Sequence, residues 1–402
     1  MEVQTEFVSA RASVPDHVPP ELVIDFDICS DPGMKVDVFK RLEELRATVP
    51  PIAYSPYNGG HWMVFEEQHI KTALTSPDRF TTSHLNPYIE AAIGAPFIPL
   101  GLEPPEHAPW RNLLIKYLGP AKIKKLEDSV RRRAEELIGN VSKNGRCDFV
   151  NEIAVPMPIT IFMEVMGLPL ERFSEFRSLA VRILDPDGLY DPAQAEARAG
   201  ANAQVMGILS EVIAARREAP LDDLVSSLVR ETLRDKPIGP HELLSMCYVL
   251  FLGGLDTVTN AMCFGIRYLA MDPALQQELR EHPERIKETS EWLLRRSAFV
   301  NVQRSVKVDT DLAGVPMKAG EMIWNIVWAG SNAPGVDNRG PHHYAFGAGH
   351  HLCLGMHLAR LELRVMYETW MRLIGSFRIA ADEPAEMEGG PIMHIKRMVL
   401  EY

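Results

Sequence analysis

The stretch Phe346-Gly347-Ala348-Gly349-His350-His351-Leu352-Cys353-Leu354-Gly355 holds one cysteine in a glycine-punctuated loop, and a helical pattern over 356–371 follows directly. Glycine lets a backbone turn where a Cβ would clash, and lets it come close to a flat ligand. A thiolate just ahead of a helix N-terminus is stabilised by the free amides and the helix dipole. These are the needs of a sulfur that ligates a metal inside a large planar cofactor. Zinc is the competing chemistry: His342, His343, His350, His351, Cys353 and His357 crowd one segment, and zinc favours Cys and His. The sequence offers no C-x-x-C or H-x-x-x-H pair with a second matched half, so the planar cofactor is the better reading.

Two further groups of residues could serve such a cofactor. Gly253-Gly254-Leu255-Asp256-Thr257 lies midway along an apolar helical run. Paired glycines let a flat ligand lie against the backbone. A threonine hydroxyl can bond the carbonyl of the preceding turn and open the helix locally, and a neighbouring acid can then relay protons from solvent. His107 and Arg111 stand at i and i+4 near the start of another helix, hence on one face, and both are natural carboxylate partners.

The elements that must position these residues are mostly helical. Apolar periodicity predicts helices over 38–48, 67–75, 106–117, 120–140, 158–166, 170–184, 193–218, 239–271, 283–297 and 352–374, with Pro240 placed as a first-turn residue. A hairpin is predicted over 52–65, turning at Asn58-Gly59-Gly60, and a strand-rich region over 301–327, turning at Ala319-Gly320. A final strand or hairpin is expected over 391–401, and an apolar proline-broken loop over 85–102. The fold class is therefore mainly α with small β-sheets, α+β with helix in excess. With no low-complexity linker and no internal repeat, residues 1–402 read as a single domain.

Composition narrows the function. A net charge of −12 argues against a general nucleic-acid binder. The five scattered cysteines do not form a disulfide framework, so a reducing cytoplasm is expected. Residues 1–20 carry neither a basic n-region nor an apolar h-region. The apolar run 246–262 contains Asp256, which is costly at the centre of a spanning helix. A buried core helix and no membrane association are expected.

The spacing F-x-x-G-x-x-x-C-x-G, taken with this order of elements, resembles the cytochrome P-450 family over nearly the whole chain, nearest to soluble bacterial camphor-hydroxylase-like members. The resemblance implies the cytochrome P-450 fold, with a long central helix over a haem b (iron protoporphyrin IX) and Cys353 as the axial iron ligand. Gly253 and Gly254 would lie against the haem and Phe346 would support the cysteine loop. His107 and Arg111, as H-x-x-x-R, would bind the propionates together with Arg304 and His351. Asp256 and Thr257 would handle protons during oxygen activation. Phe97, Leu252, Val300, Ile392 and Met393 fall at substrate positions. All are apolar, which suits a small hydrophobic terpenoid or norisoprenoid. Camphor is not expected to fit, because Ala95 stands where the camphor enzymes place a tyrosine hydroxyl. The implied activity is a monooxygenase acting on substrate and O2. A monomer would take electrons from a separate [2Fe-2S] ferredoxin and its reductase. Arg111, Lys116, Lys122, Arg360 and Arg364 are candidates to attract that acidic partner.

The chain departs from the family at E-x-x-R. Aligned on Arg295, the glutamate position holds Trp292, and Glu291 lies one residue earlier, about 100° round the helix. Arg339 matches the arginine that completes the family's cluster. A substitute carboxylate for Arg295 is expected from Asp337, second from Glu291, with solvent exposure of Arg295 third. The missing glutamate leaves open a degenerate haem-binding member with poor turnover, and a non-enzymatic haem or gas sensor is the rival of another class.

Overall fold

The protein is seen as a computed structural model that describes residues 11–83, 93–184, 192–333 and 342–402. Capping fixes many helix starts. The Asp37 carboxylate accepts from the amides of Phe39 and Lys40 to open Val38–Arg46. Proline in the first turn opens Pro156–Met166 and Pro240–Leu255, where its missing N–H costs nothing.

Several helices predicted as single units are broken. The run over 120–140 becomes Pro120–Ile123, a 3-10 turn, and Glu127–Val141. The run over 239–271 splits into Pro240–Leu255 and Thr257–Ala270, with Asp256 between them. There the Thr257 hydroxyl donates to Gly253 O at 2.9 Å, so a side chain competes for a carbonyl of the helix ladder. Pro273–Glu281 was not expected as a helix; it is polar and buries only Gln276 and Leu279, too little for a periodic signal.

The main sheet has five strands in the order Ile52–Ser55, His61–Val64, Met322–Ile326, Asn301–Val306 and Phe80–Thr81. Asn58, Gly59 and Gly60 all take positive φ at the predicted hairpin turn. The C-terminal segment supplies one arm of a hairpin and a further strand. His394–Arg397 pairs with Glu386–Glu388, while Val399–Glu401 lies between Arg378–Ile379 and Arg146–Asp148. Residues 389–393 join the first pair locally, whereas Arg146–Asp148 is distant in sequence and no local turn signal marks its pairing.

One continuous apolar core surrounds the two halves of the long helix and the helix Met356–Leu373. Pro240–Ala270 is apolar and long enough to cross a membrane by composition, yet its halves bury Phe251, Met262 and Phe264 completely or nearly so inside the protein.

Glu362 lies on the buried face of Met356–Leu373, only 1% exposed, and its Oε2 has no hydrogen-bond partner among the described residues. Burial raises its carboxyl from the ordinary 4.5 to about 8. In the unfolded chain the acid ionises near its ordinary value. Between that value and pH 8 the unfolded state therefore sheds a proton that the folded state keeps, and stability falls as pH rises. Glu362→Gln removes this dependence. The melting temperature of the variant holoprotein, relative to the parent, should climb steadily from about pH 5 to pH 8. Parallel pH curves for the two proteins would show that the acid is not held neutral.

Candidate active site

The cysteine loop is closed by its own backbone. Cys353 N donates to Phe346 O at 2.9 Å, and Gly347 N donates to Tyr344 O at 2.8 Å. Gly349 has φ of 72°, and a Cβ there would lie 2.7 Å from Leu74 O, so glycine is required on two counts. The Phe346 ring carries the Arg360 guanidinium 4.7 Å from its centroid. The amides of Gly355 and Met356 face the sulfur. The expected stabilised thiolate needs one correction. Burial outweighs these amides, Arg111 and Arg360, and leaves the thiol above its ordinary pKa. A coordinated metal would deprotonate it outright.

Cys353 lines a cavity of about 380 Å³. Gly253, Gly254 and Thr257 line it from the kink of the long helix. A Cβ at Gly254 would come within 2.5 Å of the Phe162 ring, so glycine is needed for that helix contact. Phe97, Leu252 and Ile392 also line the cavity. Val300 stands behind Ile392, joined to it by an isolated β-bridge. Met393 is fully buried and its amide donates to Phe299 O, so neither is a wall of the cavity. Phe97 is held in place through its loop. Ile98 N donates to the Ser245 hydroxyl at 2.9 Å, which donates in turn to Pro96 O.

The edge of the site has an excess of unmatched donors. Arg304 is 5% exposed, donates to Gln303 O, and forms no ion pair among the described residues; burial lowers its pKa to about 10. Arg111 is also lowered by burial and turns to Leu352 O. His107 is buried with Nε2 unpartnered, and burial with the nearby His351, His350 and Arg111 pushes it down to about 4, so it is neutral. His351 Nε2 lies 2.9 Å from Thr82 Oγ1. An arginine cannot shed its proton, and a buried unpaired charge is costly. The set therefore fits an amphiphile with an apolar body, a metal facing the sulfur and carboxylates at the edge. Haem b matches this donor set.

Sequence reading missed Glu103. Although burial opposes ionisation, His351, Thr81 and the Thr82 amide hold its carboxyl far below the usual range, and His350 Nε2 lies 2.7 Å away. Glu103, His350 and His351 could together hold a cation, so the histidine-rich segment does gather, but not around Cys353. Glutamate in a proline-rich loop carries no periodic signal.

Of the expected partners for Arg295, Asp337 lies outside the described residues, as does Arg339. Glu291 turns elsewhere: it binds Arg360 in two contacts of 2.7 and 2.9 Å and lies 3.3 Å from His343. Arg295 is buried and its Nε donates to Ser331 O at 2.7 Å. The candidate partner-docking cations are mostly engaged too. Arg360 has Glu291, Arg364 has Glu127 and Glu368, and Lys116 has Glu231. Lys122, exposed beside Lys124 and Lys125, forms no ion pair among the described residues.

Thr257 lines the Cys353 cavity, whereas Asp256 lines a different cleft behind it. Asp256 contacts Asn260 and His394, neither of which the sequence singled out. His394 comes from a strand far along the chain, which no local pattern links to the helix.

Comparison with known proteins agrees with this geometry. No family model matches the chain. A probable cytochrome P450 127A1 of Sinorhizobium fredii is 30% identical, covering 97% of each chain. The linalool 8-monooxygenase of Pseudomonas putida is 25% identical over 86% of this chain and 90% of its own. The crystal structure of CYP101J2 superposes with a TM-score of 0.87 at 32% identity, covering 97% of this chain and 99% of that one. The chain belongs to the cytochrome P450 family of haem-thiolate monooxygenases, oxidoreductases that bind haem b and use O2.

Cys353→His should abolish the far red-shifted Soret band of the reduced carbonyl complex, which requires a thiolate. A variant that keeps the band would move the ligand to another cysteine. Arg304→Leu removes one charge-assisted contact, worth about 1.5–3 kcal/mol. Haem transfer to an apo-globin acceptor should then be about tenfold faster or more, and an unchanged rate would remove Arg304 from the haem contacts.

Proposed function

We propose that this chain is a soluble, monomeric, single-domain cytoplasmic enzyme. It hydroxylates a C–H bond of a small terpenoid or norisoprenoid, with electrons from a separate [2Fe-2S] ferredoxin and its reductase. The observation that carries the substrate class is the lining of the cavity. Phe97, Leu100, Phe162, Val165, Leu252 and Ile392 offer no hydrogen-bonding side chain to a ligand. The likeness to a linalool 8-monooxygenase supports the same class. Lys122, with its neighbours Lys124 and Lys125, is exposed and suited to attract an acidic partner.

Haem, when bound, supplies the redox centre at which R–H, O2, two electrons and two protons become R–OH and water. The chain's own residues do the rest. Phe97, fixed through Ser245, and Ile392 close on the substrate and exclude water. Thr257 holds its hydroxyl at the cavity wall, bonded to Gly253 O, and can pass a proton inward. Asp256, adjacent in the chain, faces the opposite cleft and resupplies it. Burial raises the Asp256 carboxyl, with His394 and Asn260 opposing, so it holds a proton to higher pH than an exposed acid does.

Thr257→Ala should bind substrate as the parent does and consume electrons at a similar rate, while peroxide replaces much of the product. Unchanged coupling of electrons to product would end this role for Thr257. For the substrate, an ionone should shift the haem spin state at lower concentration than camphor. A missing hydrogen bond to the camphor ketone costs on the order of 1 kcal/mol, about fivefold in affinity. Camphor binding as tightly as any norisoprenoid would overturn the substrate class.

A further inference from the structure

The kink of the long helix separates two cavities. The one behind it measures about 480 Å³ and runs from Asp256, Thr259 and Asn260 to Asn151, Val181 and Lys396, which are exposed. It shares no lining residue with the Cys353 cavity. Asp256 and Thr257, neighbours in the chain, thus line one cavity each and form the partition between them.

Inside the rear cleft, His394 Nδ1 lies 3.5 Å from Asp256 Oδ2 and 3.2 Å from Asn260 Nδ2. Asn260 Nδ2 is also 3.0 Å from Asp256 Oδ2, and Asn260 Oδ1 accepts from Ile395 N at 3.4 Å. That last contact orients the amide. With Oδ1 turned to the strand, the NH2 group must face both the acid and the imidazole. A neutral His394 can accept from the amide at Nδ1, and a protonated one can donate from Nδ1 to the carboxylate. The contacts therefore serve both charge states of the ring, which a purely structural contact does not require.

The charged groups on the surrounding elements are occupied or turned aside. Arg177 of Phe173–Leu184 donates to Asn151 Oδ1. On the strand, Lys396 pairs with Glu388 at 2.8 Å, and Arg397 pairs with Glu383 and lies 3.8 Å from Asp148. Glu152 accepts from Asp148 N. On the helix itself, burial holds the Cys263 thiol well above its ordinary pKa, hence neutral. Among the described residues, His394 is the one titratable group in ion-pair reach of Asp256.

We propose that His394 is the positioning and proton-relay residue that recharges Asp256 from the water of the rear cleft. The inference rests on the reading of Asp256 as the acid that resupplies Thr257. In the step, the Nδ1–H bond of the imidazolium breaks and an O–H bond forms at Asp256 Oδ2. Imidazolium becomes imidazole, carboxylate becomes carboxylic acid, and no electron moves. A proton taken up from bulk solvent through the cleft then rebinds at Nδ1, which restores the imidazolium. His394 and Asp256 are 12% and 19% exposed, enough for water to reach both.

The test compares His394→Gln, which keeps hydrogen bonding but cannot titrate in this range, with Asp256→Asn. In the parent, product formed per electron should decline as pH rises through the imidazole range. His394→Gln should lose this inflection and lower coupling by at least about threefold, with the substrate dissociation constant within about twofold of the parent. Independently of turnover, the His394 ring can be titrated by NMR in the carbonyl-bound ferrous holoprotein. Asp256→Asn should lower its midpoint measurably, because an opposite charge is lost. An unmoved midpoint would falsify the pairing, and this measurement decides alone if His394→Gln fails to hold haem. If Asp256→Asn uncouples but His394→Gln matches the parent in coupling and pH profile, the relay through His394 is wrong and the role of Asp256 stands. If Asp256→Asn itself stays coupled, the reading of Asp256 fails and takes the relay with it.

Discussion

Buried charge without an opposite is the constraint around which this molecule is arranged. Arg111, Arg304 and the thiol of Cys353 are all removed from bulk water, and each is driven by burial toward its neutral form. Arginine cannot comply in practice, and among the described residues neither arginine forms an ion pair, so a carboxylate ligand would meet their charge. A metal at the sulfur and carboxylates at the edge answer all three demands at once. The same argument explains why haem binding and the final packing of this region belong together: the ligand-free site carries an electrostatic cost that the ligand removes.

The second organising feature is the interruption at Asp256. A continuous helix would seal the core between the two clefts. A threonine hydroxyl bonded to Gly253 O, with glycines just before it, opens the ladder at one point. Apolar packing on both sides confines the opening to a single residue step. Asp256 lines one cleft and Thr257 the other, so the partition is one residue step thick.

The far side of the cysteine loop solves a different problem. Family members use a glutamate three residues before Arg295, and here that place holds Trp292, whose ring packs edge-on to Tyr268 at 4.9 Å. Glu291, one residue earlier, reaches Arg360 and His343 instead. Arg360 lies over Phe346, so the acid still braces the loop that carries the cysteine, through a cation on the following helix. Glu291 is thereby tied through Arg360 to the ring of Phe346 on the ligand loop.

What the sequence determined by itself was the local chemistry: the glycine-bounded cysteine, the Gly-Gly and Asp-Thr elements of the long helix, the H-x-x-x-R face and the turn at Asn58-Gly59-Gly60. Each is set by backbone conformation or by i, i+4 geometry, which short spacing encodes. What only the tertiary structure decided was which distant groups meet. Glu103 sits among His350, His351 and Thr82; Glu291 reaches Arg360; Val300 and Met393 fall behind Ile392 instead of in the wall. His394 lies against Asp256 because the strand His394–Arg397 packs on the kinked helix, with His394 134 residues beyond Asn260 in the chain. Strand pairing and side-chain burial at such separations are fixed by the packing of the whole core, and no local pattern records them.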